Sequence, residues 1–294
     1  MQPPLEIALL RSFVAVARMG SISAAAVRIG RTQSAVSMQM RRLEEIVGTP
    51  IFHRSGSGVS ATRAGERLLV HAHSILHTHD QALSDLAGPG LRGSICVGCP
   101  EDYLNVFLPG VLMRFAADHP AVEVEIVCAP TVDLKPMLHR RKVDVAIVSE
   151  PLSAMQSDVL RRTRFVWVAN DPAPASLQTE VVPLALSASN TMDHQAACDA
   201  MHDLGRPYRV AFASNSLAGL LAIARSGHAI SVVTDVAVPG DLSVIRDDLP
   251  PLPEIGIRIA DSAGPCTDAI GEFRRIAAEM IGEELPVPPI PRAP

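Results

Sequence analysis

The sequence predicts an α/β chain with an all-α N-terminal head: a winged helix-turn-helix, then two doubly wound α/β subdomains. Three observations carry this. Between Ser21 and Thr62 a small-residue helix is followed by a helix with one apolar and one polar face. From Ala64 to Leu86 a long helical pattern runs without an internal breaker. From Ser94 onward, short β-branched runs alternate with helical periodicity, the rhythm of βαβ units and parallel sheets.

Taken in order, Leu5, Leu9, Phe13 and Val16 give a first helix its buried stripe. Ser23 is expected to cap a short helix opened by Ala24, Ala25 and Ala26 and terminated by Gly30. Thr32 caps the next, Thr32 to Glu45, whose Val36, Met40, Leu43 and Val47 form one apolar stripe. Gln33, Ser34, Ser37, Met38, Arg41 and Arg42 are then left for solvent or a partner. Such a polar face on a helix backed by small residues suits the major groove of double-stranded DNA. Phe52 to Val59, with Gly56 and Gly58, reads as a hairpin wing carrying Arg54 toward phosphate or a neighbouring groove.

Charge supports that placement. The chain carries a net −5, yet residues 1–63 hold eight arginines against Glu6, Glu44 and Glu45, a local +5, which leaves −10 for the remainder. The field that attracts a duplex is confined to one end.

In the long helix, Leu68, Ala72, Ile75, His79, Leu83 and Leu86 are expected to form an intersubunit seam, since a small reading head needs a partner to match a two-fold operator. His73 and His77 stand at i, i+4, but no third ligand completes a metal site, and none is expected. Gly88-Pro89-Gly90 breaks the helix. Strands follow at Ser94–Gly98, Val122–Cys128, Val143–Val148, Phe165–Ala169, Leu184–Ser187, Tyr208–Phe212, Ala229–Val233 and Gly256–Ala260. Helices are expected at Leu104–His119, Leu134–Arg141, Met192–Leu204, Leu217–Arg225 and Thr267–Gly282. The expected division is a head at 1–63, a linker helix at 64–90 and a regulatory unit at 91–285. Its first subdomain takes 91–163 and 265–285, its second 164–264, and the tail 286–294, with five prolines, is expected to be disordered.

The head resembles the N-terminal domain of the LysR-type transcriptional regulators. The resemblance rests on Phe13, Gly20-Ser21, Ala25-Ala26, Gln33-Ser34, Ser37, Leu43-Glu44, Gly48, Phe52, Arg54, Thr62 and Gly65, in order over about seventy residues. Cys99-Pro100-Glu101-Asp102-Tyr103 with Leu108-Pro109 is similar to the LrhA/HexA-like branch. Met38 stands where many members carry Arg, which shifts sequence preference toward Gln33 and Arg41. The resemblance implies a periplasmic-binding-protein-like effector domain, a promoter operator as partner, and a homodimer or homotetramer.

Ligands of open α/β sheets bind beyond the carboxyl ends of strands, against helix N-termini. That rule selects Cys99, Pro100, Glu101, Asp102, Pro130-Thr131, Ser149, Glu150, Ser214, Asn215 and Ser216 as the candidate effector site, although Asp102 and Ser216 are equally good helix caps. Hydroxyls and helix-end amides favour an anion, whereas Glu101, Asp102 and Glu150 oppose one. No phosphate loop, nucleophile elbow or dinucleotide fingerprint occurs, so neither an enzyme nor a cofactor is expected. The chain shows no export signal and no run of about 18 apolar residues, which points to the cytoplasm and reduced cysteines. A redox role for Cys96, Cys99 or Cys198 is the alternative sensing mode, and Trp167 is expected to pack on its strand.

Overall fold

A computed structural model describes residues 4–56, 58–86, 90–155, 158–262 and 266–282. The expected tail, Gly88-Pro89 of the expected boundary, Ser57 in the wing and the side chains of His77 and Leu86 lie outside the described residues.

The head packs α1 (Ile7–Met19), α2 (Ile22–Arg28) and α3 (Gln33–Val47) around Leu10, Phe13, Val16, Ala25, Val36, Met40 and Leu43. Ser21, not Ser23, caps α2, because its Oγ accepts from the Ala24 amide at 3.3 Å. At the far end Gly30 takes φ +63°, letting Gly30 N–H reach Val27 O and Arg31 N–H reach Ala26 O at 2.9 Å. This paired turn closes the helix at a glycine that bears no Cβ penalty. Thr32 caps α3 through the Ala35 amide, and Val47, expected in the stripe, is exposed at the last turn. The wing strands β1 (Phe52–Ser55) and β2 (Gly58–Ala61) pair antiparallel, and Val59 N–H bonds Gly20 O at 2.8 Å, pinning the wing to the end of α1.

The linker helix α4 (Arg63–Leu86) divides the expected seam between two uses. Leu69 and Ala72 are buried in the head's own core with Leu68 packed against it, whereas Ile75 and Leu83 stay exposed at 38 % and 54 %. Leu68 and Ala72 are therefore claimed by their own domain. A head this small needs a fourth helix to close its core.

The remainder forms one continuous sheet in the order β4-β3-β5-β11-β6-β9-β7-β8, with β10 on β6. The first lobe holds β3 (Gly93–Cys99), β4 (Val122–Cys128), β5 (Val145–Pro151) and β11 (Glu254–Asp261). Around them lie α5 (Glu101–Val106), α6 (Leu108–Asp118), α7 (Thr131–His139) and α10 (Asp268–Gly282). The second holds β6 (Arg161–Ala169), β7 (Val182–Leu186), β8 (Tyr208–Ala213), β9 (Ile230–Thr234), β10 (Ser243–Ile245), α8 (Met192–Leu204) and α9 (Leu217–Arg225). The sheet is mixed where parallel sheets were expected. β11 runs antiparallel to both β5 and β6, and β6 antiparallel to β9. The chain passes between lobes along extended strands, without the crossover helix that a parallel neighbour requires.

The expected helix Leu104–His119 is two helices. Pro109 has no N–H to give the Asn105 carbonyl, so α5 ends at Val106 and α6 restarts at Leu108. Phe115 meets Phe273 of α10 edge-on at 5.4 Å in the first core. Cys96 and Cys99 face opposite sides of β3, in separate cores. Trp167 is buried in the second-lobe core, its Nε1 donating to Pro250 O at 2.8 Å.

Head and first lobe touch. Arg18 of α1 lies 3.4 Å from Asp144 and 3.7 Å from Glu125, and Arg28 bonds Glu125 at 3.0 Å. His73 of α4 is half-buried in this junction, and its desolvation there together with Arg18 and Arg141 lowers its pKa to about 4. Arg140, Lys142 and Glu66 line the same junction. The folded imidazole stays neutral where an unfolded one, near 6.5, takes a proton. Stability from this group is thus full above pH 6.5 and is lost as pH falls toward 4. Urea unfolding should show a loss of about 2 kcal/mol between pH 7 and pH 5 that is absent in His73→Gln. Equal pH slopes in the two proteins would refute the assignment.

Candidate functional site

Two surfaces gather the residues singled out in the sequence. On α3, Ser34, Met38, Arg41 and Arg42 are exposed on the side away from Val36, Met40 and Leu43, Ser37 is half-buried at its edge, and Gln33 is exposed at the helix N-terminus. Arg42 pairs with Glu45 at 3.3 Å, one turn along the helix. Arg41 and, on the wing, Arg54 are exposed and make no ion pair among the described residues. Both are thus open to phosphates or base edges. Gly65, at the start of α4, has no room for a Cβ against the Ile51 carbonyl, which fixes the wing's exit close to the head.

The second surface is a cleft of about 400 Å³ between the lobes. First-lobe strands β3, β4 and β5 deliver Pro100, Glu101, Asp102, Thr131 and Ser149, while the second lobe delivers Ser214, Asn215 and Ser216. Two expected residues are absent from its wall. Cys99 is buried in the first core, its thiol against Pro100 O. Glu150 turns away to Arg258 at 3.0 Å and Lys135 at 2.8 Å, and the hydrogen bond from Arg258, aided by Lys135, holds its carboxyl below the usual range.

The wall also contains residues that the sequence reading passed over: Tyr103, Lys135, Asn190, Thr191, Asp193 and Thr234. Asn190 and Thr191 lie between β7 and α8, a strand end before a helix, so the strand-end rule was available for them. Asp193 accepts from Ser187 Oγ, and Ser187 Oγ lies 2.6 Å from Thr191 Oγ1. Thr131 Oγ1 accepts from the Ser149 amide at 3.1 Å, which makes that hydroxyl a tie between α7 and β5 as well as a wall group. The Tyr103 hydroxyl is buried beside Ser149 without a partner at bonding distance among the described residues.

Two carboxylates reach across the cleft. Glu101, in the first turn of α5, accepts from the backbone N–H of Leu217 at 2.7 Å, from that of Ala218 at 3.3 Å and from Ser216 Oγ at 3.2 Å. It therefore fills the amide cluster at the start of α9, where an anionic ligand would otherwise sit. Asp102 accepts from Thr234 Oγ1 at 2.7 Å and from its amide at 3.3 Å, while burial pushes its pKa up. Glu101, Asp102 and Asp193 give the wall three acids, and its Lys135 is already committed to Glu150. Among the described residues no cluster of three or more His, Cys, Asp or Glu is arranged to hold a metal.

Residues 7–66 match the model of the bacterial regulatory helix-turn-helix protein, lysR family, and residues 88–277 match that of the LysR substrate binding domain. The chain is 53 % identical over 282 residues to the HTH-type transcriptional regulator DgdR of Burkholderia cepacia, covering 94 % of this chain and 96 % of that one. Its fold is similar to ArgP from Mycobacterium tuberculosis, with a TM-score of 0.65 at 20 % identity and coverage of 95 % and 98 %. Full-length OxyR C199D from Pseudomonas aeruginosa gives 0.63 at 21 % identity, covering 95 % of each chain.

The Glu101 contact yields a direct test. Hydrogen bonds to a charged acceptor contribute about 1.5–3 kcal/mol each. Glu101→Ala should therefore expose the α9 amides and raise affinity for propionate roughly ten- to hundredfold. Thermal shift at fixed ionic strength reads it: a response to propionate in Glu101→Ala and none in the parent. The same response in both would show that Glu101 does not guard the amides.

Proposed function

The chain belongs to the LysR family of bacterial transcriptional regulators, and we propose that residues 1–63 read promoter DNA, 64–90 join two copies, and 91–285 sense a small molecule. The observation that carries the reading is a basic head with an exposed, uncommitted Arg41 on α3, joined to a two-lobed unit that encloses a cleft. In this reading Gln33, Ser34, Ser37 and Met38 meet base edges, Arg41 reaches bases or phosphate, and Arg42 and Arg54 meet phosphates. The regulator acts by binding rather than catalysis, and no helix among the described residues is long and apolar enough to cross a membrane, in keeping with a cytoplasmic site of action. The similarity of Cys99 to Tyr103 with Leu108-Pro109 supports a position near the LrhA/HexA-like branch.

The effector occupies the interlobe cleft, held by Asp193, Asn190, Thr191, Asn215 and the hydroxyls of Ser149 and Tyr103. With three acids in the wall and the α9 amides filled, the ligand that fits is small and carries no net negative charge, an amine-bearing compound above all. A ligand that prefers one lobe angle shifts the balance of lobe angles, and α4 passes that change to the paired heads. The thiol-switched alternative is disfavoured at Cys96 and Cys99. Burial pushes Cys96 up to about 11 and raises Cys99 as well, so little thiolate is present to react with an oxidant.

Electrophoretic mobility shift on promoter DNA tests the reading head. Arg54→Ala should lower the salt slope by about one unit, and Arg41→Ala should cost roughly 1–3 kcal/mol of discrimination if it reads a base or the same unit of slope if it holds phosphate. Unchanged affinity and slope in both variants would place DNA binding elsewhere. For assembly, the double variant Ile75→Asp/Leu83→Asp puts charge on the exposed apolar row of α4, whose two side chains contribute about 1.5–3 kcal/mol each when covered. Sedimentation should show it dissociated at micromolar concentration where the parent is assembled. A double variant as assembled as the parent would remove α4 from the interface.

A further inference from the structure

A second cavity, about 200 Å³, lies far from the cleft, at the junction of head and first lobe. Its wall brings together Arg18 from α1, His73 and Glu66 from α4, and Arg140, Arg141 and Lys142 from the turn after α7. Glu66 is the single acid in that wall. Arg18 is held from behind by Asp144 and Glu125, yet its Nε is buried without an acceptor among the described residues. Arg140, Arg141 and Lys142 make no ion pair among the described residues. Arg141 is also the one non-glycine among them with positive φ, +53°, and its guanidinium donates to Val70 O of α4 at 3.4 Å. That conformation closes α7, with Arg141 N–H reaching Leu138 O at 3.0 Å and Lys142 N–H reaching Met137 O at 2.9 Å.

We propose that this junction is a second binding site, for a small multiply charged oxyanion of the phosphate class, which bridges the reading head and the sensing unit. Cations drawn from α1 and from the turn after α7 around one cavity repel one another until an anion enters, and arginine forks suit tetrahedral oxyanions. His73, held neutral by burial and then by Arg18 and Arg141, completes the wall without adding charge. The site is separate from the effector cleft in both position and sign of charge, so the two ligands do not compete. Because its wall spans both parts of the chain, the anion favours the docked arrangement of head and first lobe.

The test is isothermal titration of the full-length protein with inorganic phosphate, at ionic strength matched with chloride and in the absence of DNA. Submillimolar binding is expected in the parent. Arg140→Ala/Lys142→Ala should weaken it at least about tenfold while leaving the melting temperature in chloride unchanged. No binding up to about 10 mM, or parental affinity in the double variant, would overturn the proposal. So would a double variant whose only defect is a lower salt slope on promoter DNA, which would make these cations contacts to the duplex backbone.

Discussion

A carboxylate as buried as Asp144 has to be compensated, and the way this chain compensates it ties its two parts together. Burial drives the group toward its neutral form, while the Arg18 guanidinium and the Cys96 amide, 2.7 Å away, favour its charge. Arg18 belongs to the head and Cys96 to the middle of β3. Removing either partner leaves a buried charge short of its hydrogen bonds, a costlier outcome than losing a surface pair. Docking of the head is thus enforced by a requirement of the first lobe's own interior.

That requirement also sets a route through the molecule. Glu125 and Cys128 share β4, and Cys96 and Cys99 share β3, two parallel strands in register over their whole length. At the head junction they present Glu125 to Arg18 and Arg28. At their carboxyl ends they lead directly into Glu101, Asp102 and Thr131 of the cleft. No loop intervenes between the junction and the cleft along either strand.

The sequence announced elements well where the signal was local. The bounds of α8 and α9 follow from helical periodicity and, for α8, from Gly205 at its end, and most of the strand-end residues it pointed to converge on one cavity. What escaped it depended on contacts between residues far apart in the chain. Nothing near Gly256 says that β11 will lie antiparallel between β5 and β6. Glu150 looks like a cleft residue until Arg258, more than a hundred positions away, draws it off. Leu68 and Ala72 carry the same apolar signal as Ile75, and only the packed head shows which are already used. The short strand β10 is three residues long, too brief for any alternation to register.

Glu101 behaves as a ligand that never leaves. Tethered to α5, it faces the α9 amides at an effective concentration on the order of millimolar or above, set by the closed lobes rather than by the cell's metabolites. Any free acid has to compete against that standing supply for the same donors. The consequence is insulation: ordinary fluctuations in the pool of small organic acids leave this cleft unmoved, and its response is reserved for molecules that bind without asking Glu101 to yield.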